Sequence, residues 1–180
     1  MNFHLDYLLD LPGVTVASCT QVEGNISLSL EILANGINCP HCGSDTEEMH
    51  QNRPVLVRDL PTFGQVVYLK VPRRQFYCAE CQRYSTESLK FIDWRRRHTR
   101  RYEEQIYQRV QQSSMEQIGR EEGISYDEIK AIFDHVHAQK KNDLVEVKRV
   151  SIDKISMRKG QQDFITVVSD IDLIGAVRSN

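Results

Sequence analysis

The first 52 residues contain no lysine or arginine. Seven acidic side chains leave that stretch at −7. Such a start excludes a protein that coats nucleic acid with its whole surface. No apolar run reaches the roughly 20 residues of a bilayer-spanning helix. Met1 to Pro12 has no basic start ahead of an apolar stretch, so no secretory leader is expected and a reducing cytoplasm is the expected setting. No heptad repeat or long apolar helix announces a dimer.

The basic residues lie further on. Arg53 to Arg101 holds twelve basic and four acidic residues, or +8, and Tyr102 to Asn180 carries −3, for a chain net of −2 over 180 residues. A length of 180 residues allows one ordinary core or two to three small modules. A basic middle segment is a plausible anionic footprint.

Cysteines are few but paired. Cys39-Pro40-His41-Cys42-Gly43 and Cys78-Ala79-Glu80-Cys81 each place two residues between sulfurs, and 35 residues separate the pairs. Two thiolates on a short turn reach one metal ion, and four in a tetrahedral set favour zinc. The spacing predicts one structural Zn²⁺ on Cys39, Cys42, Cys78 and Cys81, closing a strand-rich insert as in a zinc ribbon. His41 is expected to stay out of the shell. Two disulfides, unrelated core thiols, or an iron site are the alternatives. Cys19, without a partner at ligand spacing, is expected to be buried.

Phe3 to Leu9 reads as a short helix ended by Leu11-Pro12-Gly13. Val14 to Cys19 and Asn25 to Leu33 read as strands joined at Gly24, with Ile26, Leu28, Leu30 and Ile32 alternating against polar residues. Leu60 to Gly64 reads as a turn and Val66 to Pro72 as a strand. Arg73 and Arg74, beside the second cysteine pair, suit phosphate contacts or a soluble strand edge. Trp94 to Arg101 is the densest basic run, and Thr99 can cap a helix running to about Gln111. Five arginines at a helix start oppose its dipole, which an external polyanion would explain. Ser114 with Gln117 opens a second helix, Gly123 ends it, and Ser125 with Glu128 opens a third. That spacing predicts a helix-turn-helix in a three-helix bundle. Its third helix has Ile129, Ile132, Phe133 and Val136 inward and Ser125, Tyr126, Asp127, Lys130 and His135 outward. Base contacts would come from its start. Strands are expected at Val147 to Ile155 and Phe164 to Asp170, with a third starting near Leu173.

The ordered marks are the first cysteine motif, Arg58-Asp59-Leu60-Pro61, Arg73 to Cys78, Cys81 with Glu87 after it, Thr99, and Ser151-Ile152-Asp153-Lys154-Ile155-Ser156-Met157-Arg158-Lys159-Gly160. Together they resemble the amino-terminal part of a bacterial insertion-sequence transposase of the ISL-three family. The resemblance covers nearly all of the chain. It implies an α+β multidomain protein in three parts: N-terminal strands and zinc ribbon at 1–92, a helix-turn-helix DNA-binding bundle at 93–140, and truncated RNase-H-like strands of the DDE type at 141–180. It also implies a bacterial, nucleoid-associated setting. Asp153 matches the family's first catalytic carboxylate, here vestigial, with Lys154 where an acidic neighbour is usual; Asp170 and Asp172 follow the second strand. Two-metal chemistry needs several carboxylates, so the expectation is no enzyme.

The leading function is sequence-specific binding of double-stranded DNA, at transposon-end-like sites or as a repressor or competitor. Its contacts would be Arg73, Arg74, Arg95, Arg96, Arg97, Arg100, Arg101, Ser125, Tyr126 and Lys130. Possible partners besides DNA are a second copy and a full-length transposase, with no membrane. The alternatives are the N-terminal part of an active DDE transposase, or a zinc-dependent protein-interaction module.

Overall fold

The computed structural model describes residues 3–141, 150–158 and 162–170. Residues 1–136 form one compact unit and residues 137–180 a second.

The first unit opens with α1 (Phe3–Leu9), β1 (Val14–Val22) and β2 (Asn25–Ile32). Glu23 and Gly24 both take positive φ, 51° and 80°. A two-residue turn of that kind matches the twist of an antiparallel hairpin, and Val22 pairs with Asn25. Asp6 ties α1 to β1, accepting hydrogen bonds from Thr15 Oγ1 at 2.7 Å and Val16 N at 2.6 Å. Next come β3 (Ile37–Asn38), β4 (Asp45–Thr46), β5 (Met49–Asn52), β6 (Val55–Thr62), β7 (Gln65–Val71), β8 (Arg74–Cys78) and β9 (Arg83–Thr86).

The segment between the cysteine pairs does not stay together as one insert. Its β6–β7 hairpin joins the opening hairpin in a sheet ordered β1-β2-β7-β6, while β8 sits between β5 and β9 in a second sheet. The seam is the parallel pairing of β2 with β7, Leu28 against Leu69. Alternate residues Val67, Leu69 and Val71 bury themselves with Val16, Leu28, Leu30, Val57 and Phe91. This period-two pattern is the one a half-buried strand requires. The turn expected at Leu60 to Gly64 shrinks to Phe63-Gly64, because β6 runs on to Thr62.

Cys19 is exposed, against expectation. Burial along β1 stops at Val16, where a register shift interrupts its pairing with β2. The rest of the strand, Cys19 included, lies beyond the covered face.

The helical part is α2 (Arg100–Val110), α3 (Met115–Glu122) and α4 (Tyr126–Lys141). Each start is capped where the sequence placed a hydroxyl. Thr99 accepts from Tyr102 N, Ser114 from Gln117 N and Ser125 from Glu128 N. Gly123 closes α3 at φ 67°. Tyr102, Ile106, Ile118, Ile129 and Ile132 are buried together, with Leu60 of β6 against them. Gly119 permits the tight α3–α4 turn, since a Cβ there would lie 2.9 Å from Ile124 O. No described helix is long and apolar enough to cross a membrane.

The second unit contains β10 (Val150–Arg158) and β11 (Gln162–Asp170), an antiparallel pair with Asp153 opposite Val167. That hairpin is the only sheet described there, so an RNase-H-like domain is not shown. Asp172 and the strand expected near Leu173 fall outside the described residues.

Candidate metal centre and nucleic-acid interface

The cysteine site starts from two backbone turns. In the first, Cys39 N donates to Ser44 O and Gly43 N to Cys39 O, both at 2.8 Å. Gly43 follows the second cysteine at φ 80°; in the other turn Gln82 occupies that position at φ 56°. The β3–β4 pairing and β8–β9 hairpin carry these turns towards each other. All four sulfurs lie within 4.8 Å of one another. Cys39 Sγ is 3.6 Å from Cys81 Sγ, and Cys42 Sγ is 3.5 Å from Cys78 Sγ. A tetrahedron with Zn–S bonds of about 2.3 Å has an edge of about 3.8 Å, so the set fits zinc. Backbone N–H groups, His41's first, pull the Cys39 thiol down to about 6, and Ser44 lowers Cys42. Burial and the neighbouring thiols push Cys81 up to about 12. A bound divalent ion would hold all four as thiolates. His41 is exposed and outside this group.

Of the seven arginines expected to face DNA, four hold carboxylates of the same chain. Arg74 lays Nε and Nη2 on Glu87, each at 2.7 Å, and reaches Ala34 O at 2.8 Å. Arg96 Nε donates to Glu103 at 2.7 Å, and Arg100 Nε to Asp93 at 2.8 Å. Arg101 grips Asp59 through Nε at 2.8 Å and also through Nη2, and it donates to Leu9 O at 2.7 Å. The crowded charge at the start of α2 is therefore matched internally by Asp59, Asp93 and Glu103. Fold-made partners of this kind do not show in the local pattern that suggested an external polyanion.

Arg73, Arg95 and Arg97 have no carboxylate partner among the described residues. They line one cleft with Val55, Leu56 and Arg96. Exposed Trp94 stands beside it, with the Arg73 guanidinium 4.7 Å from its ring centre and that of Arg95 at 6.0 Å. Arg95 itself takes φ 60°. At the start of α4, Ser125, Tyr126 and Lys130 are exposed, with Ser125 Oγ serving as the cap and Lys130 paired to Asp134. His135, expected outward, is half-buried with Nε2 2.9 Å from Asp93.

Arg58 and Asp59 join the sheet to the bundle, a role that their place in a strand did not announce. Arg58 Nη2 donates to Glu122 O at 2.8 Å and Glu122 Oε2 at 3.0 Å, and its guanidinium lies 5.0 Å from the Tyr102 ring centre. Tyr102 OH donates to Glu122 Oε2 at 3.0 Å, and burial raises its pKa. Asp59 accepts from Thr99 Oγ1 at 2.6 Å. The available signal was a charged pair, Arg58-Asp59, inside an otherwise apolar strand.

Comparison with known proteins matches residues 36–81 to the zinc-finger of transposase IS204/IS1001/IS1096/IS1165. It matches residues 87–137 to the helix-turn-helix domain of transposase family ISL3. A "Transposase for insertion sequence element IS1001" from Bordetella parapertussis is 27% identical over 148 residues, covering 81% of this chain and 36% of that protein. The chain thus spans about a third of the length of this curated relative. No solved structure gives a significant match. With four thiolate donors at zinc-binding separations and a capped helix-turn-helix where both matches fall, the chain belongs to the ISL3 transposase family.

Proposed function

We propose that the chain binds double-stranded DNA through two surfaces, as a site-specific binder of transposon-end-like sequences or as a repressor that competes with a full-length transposase. The observation that carries this reading is the division among the arginines. Arg73, Arg95 and Arg97 line a cleft and have no carboxylate partner among the described residues, while the other four brace the fold. The three cleft arginines supply phosphate contacts, which position the protein without reading sequence. The start of α4, with Ser125, Tyr126 and Lys130 exposed, supplies base readout in the major groove. Arg74, Arg96, Arg100 and Arg101 assist by holding this frame. The zinc on Cys39, Cys42, Cys78 and Cys81 closes the ribbon that carries Arg73.

Selection from a random duplex library, followed by titration of the winner, tests the reading. A recovered consensus whose affinity falls in Tyr126→Ala supports it. Recovery of no consensus sinks the site-specific part.

One observation favours a protein partner as a second reading. Exposed Leu8 and Phe63 border an apolar cleft formed with Leu5, Leu9, Ile26 and Leu60. Failure to bind any duplex at low salt would favour it over DNA.

A further inference from the structure

The turn that leads into α2 meets the bundle through a second group of ligating side chains. Asp93 comes from the turn, Glu103 from α2 and His135 from α4, with their ligand atoms within 4.8 Å of one another. His135 Nε2 is 2.9 Å from Asp93 Oδ2 and 3.7 Å from Glu103 Oε2. The other oxygen of each carboxylate is already held. Arg100 Nε donates to Asp93 Oδ1 at 2.8 Å and Arg96 Nε to Glu103 Oε1 at 2.7 Å. Two carboxylate oxygens therefore converge on one imidazole nitrogen.

A proton cannot serve that geometry fully. Nε2 carries at most one N–H, and 3.7 Å lies beyond hydrogen-bond range. The Glu103 side chain is only 3% exposed, and its Oε2 accepts no hydrogen bond from a described residue. Divalent ions take imidazole and carboxylate ligands at about 2.0–2.2 Å, which sets ligand atoms roughly 2.9–3.5 Å apart at octahedral to tetrahedral angles. The observed separations of 2.9 and 3.7 Å lie close to that span.

We propose that Asp93, Glu103 and His135 form a second metal site, for a divalent first-row ion held by one imidazole and two carboxylates. Arg96 and Arg100 fix the carboxylates from behind, as outer partners do in metal centres. Water completes the shell on the side where His135 is 28% exposed. Such donors suit Mn²⁺ and Zn²⁺, whereas the four cysteines select the softer zinc. The ion would clip the turn carrying Trp94, Arg95 and Arg97 to α2 and α4. The competing account is an ion-pair network in which His135 simply donates to Asp93.

The test uses the full chain with its ribbon zinc in place and no DNA, so failure would leave the DNA reading standing. Mn²⁺ is added and bound ion is counted by electron paramagnetic resonance and equilibrium dialysis. One saturable Mn²⁺ per chain is expected, displaced by added Zn²⁺. His135→Ala and Asp93→Asn should each weaken it about tenfold or more, while the ribbon zinc stays at one per chain. Absence of saturable Mn²⁺ and of any Zn²⁺ beyond the ribbon ion overturns the site. Unchanged Mn²⁺ affinity in both variants, each still folded by circular dichroism, overturns it too.

Discussion

Replacing Asp59 by alanine should loosen the joint between sheet and bundle. Asp59 is 2% exposed and takes three hydrogen bonds, one from the fully buried Thr99 hydroxyl and two from Arg101. Removing one member of a buried charged pair costs about 3–5 kcal/mol. Arg101 keeps 33% of its side chain exposed, so water can recover part of its charge and the lower end applies. Stranding the Thr99 hydroxyl adds about 1 kcal/mol. The working figure is roughly 3–4 kcal/mol, a drop of about 10 °C in Tm for a unit of this size. Asp59→Asn keeps an acceptor for Thr99 and should cost about half as much. Urea melts of zinc-loaded protein read the loss, and a double-mutant cycle with Arg101→Ala should return a coupling of about 1–3 kcal/mol. An Asp59→Ala variant within about 0.5 kcal/mol of wild type, or a coupling near zero, would refute the assigned joint.

Further outcomes can be checked alongside. Chelating the zinc should unfold the ribbon, and Cys39→Ser should leave well under one zinc per chain by elemental analysis, because metal affinity is coupled to folding. Gln82→Gly should stabilise the zinc-loaded protein by roughly 0.5–1 kcal/mol in urea, since a left-handed residue other than glycine is strained and Gly43 already solves the matching position. Asp6 is held below the usual carboxylate range, first by Thr15 and then by the Val16 N–H. Its contribution is therefore present above the unfolded value of 3.8 and is lost as pH falls through the lower folded value. Asp6→Asn should flatten the stability curve in that acid window, and an unchanged acid limb in melts from pH 5 downward would contradict the contact.

What the sequence disclosed was local. The paired cysteines lie in short turns, and Thr99, Ser114 and Ser125 cap helices through bonds spanning three residues. Gly123 marks its own conformation. The parallel seam of β2 with β7 was not legible, because Leu28 and Leu69 stand 41 residues apart and both strands show the same period-two pattern. The internal partners of the arginines were hidden for a related reason. Arg101 reads as surplus charge until the fold brings Asp59 to it from 42 residues away. Arg73, Arg95 and Arg97 look no different in sequence, and only the absence of a described carboxylate partner separates them. Cys19 fails at a strand irregularity that no composition rule detects.

The salt dependence of duplex binding tests the central claim most directly. Wild type and an Arg73→Gln, Arg95→Gln, Arg97→Gln triple variant should be compared from low to moderate salt on the selected duplex and on a scrambled one. If the three cleft arginines contact phosphates, the triple variant should lose between two and three units of the log–log salt slope, about 0.9 for each contact. Both duplexes should weaken alike, with site preference preserved. An unchanged slope in a folded, zinc-loaded triple variant, or salt-independent binding by wild type, would contradict the account.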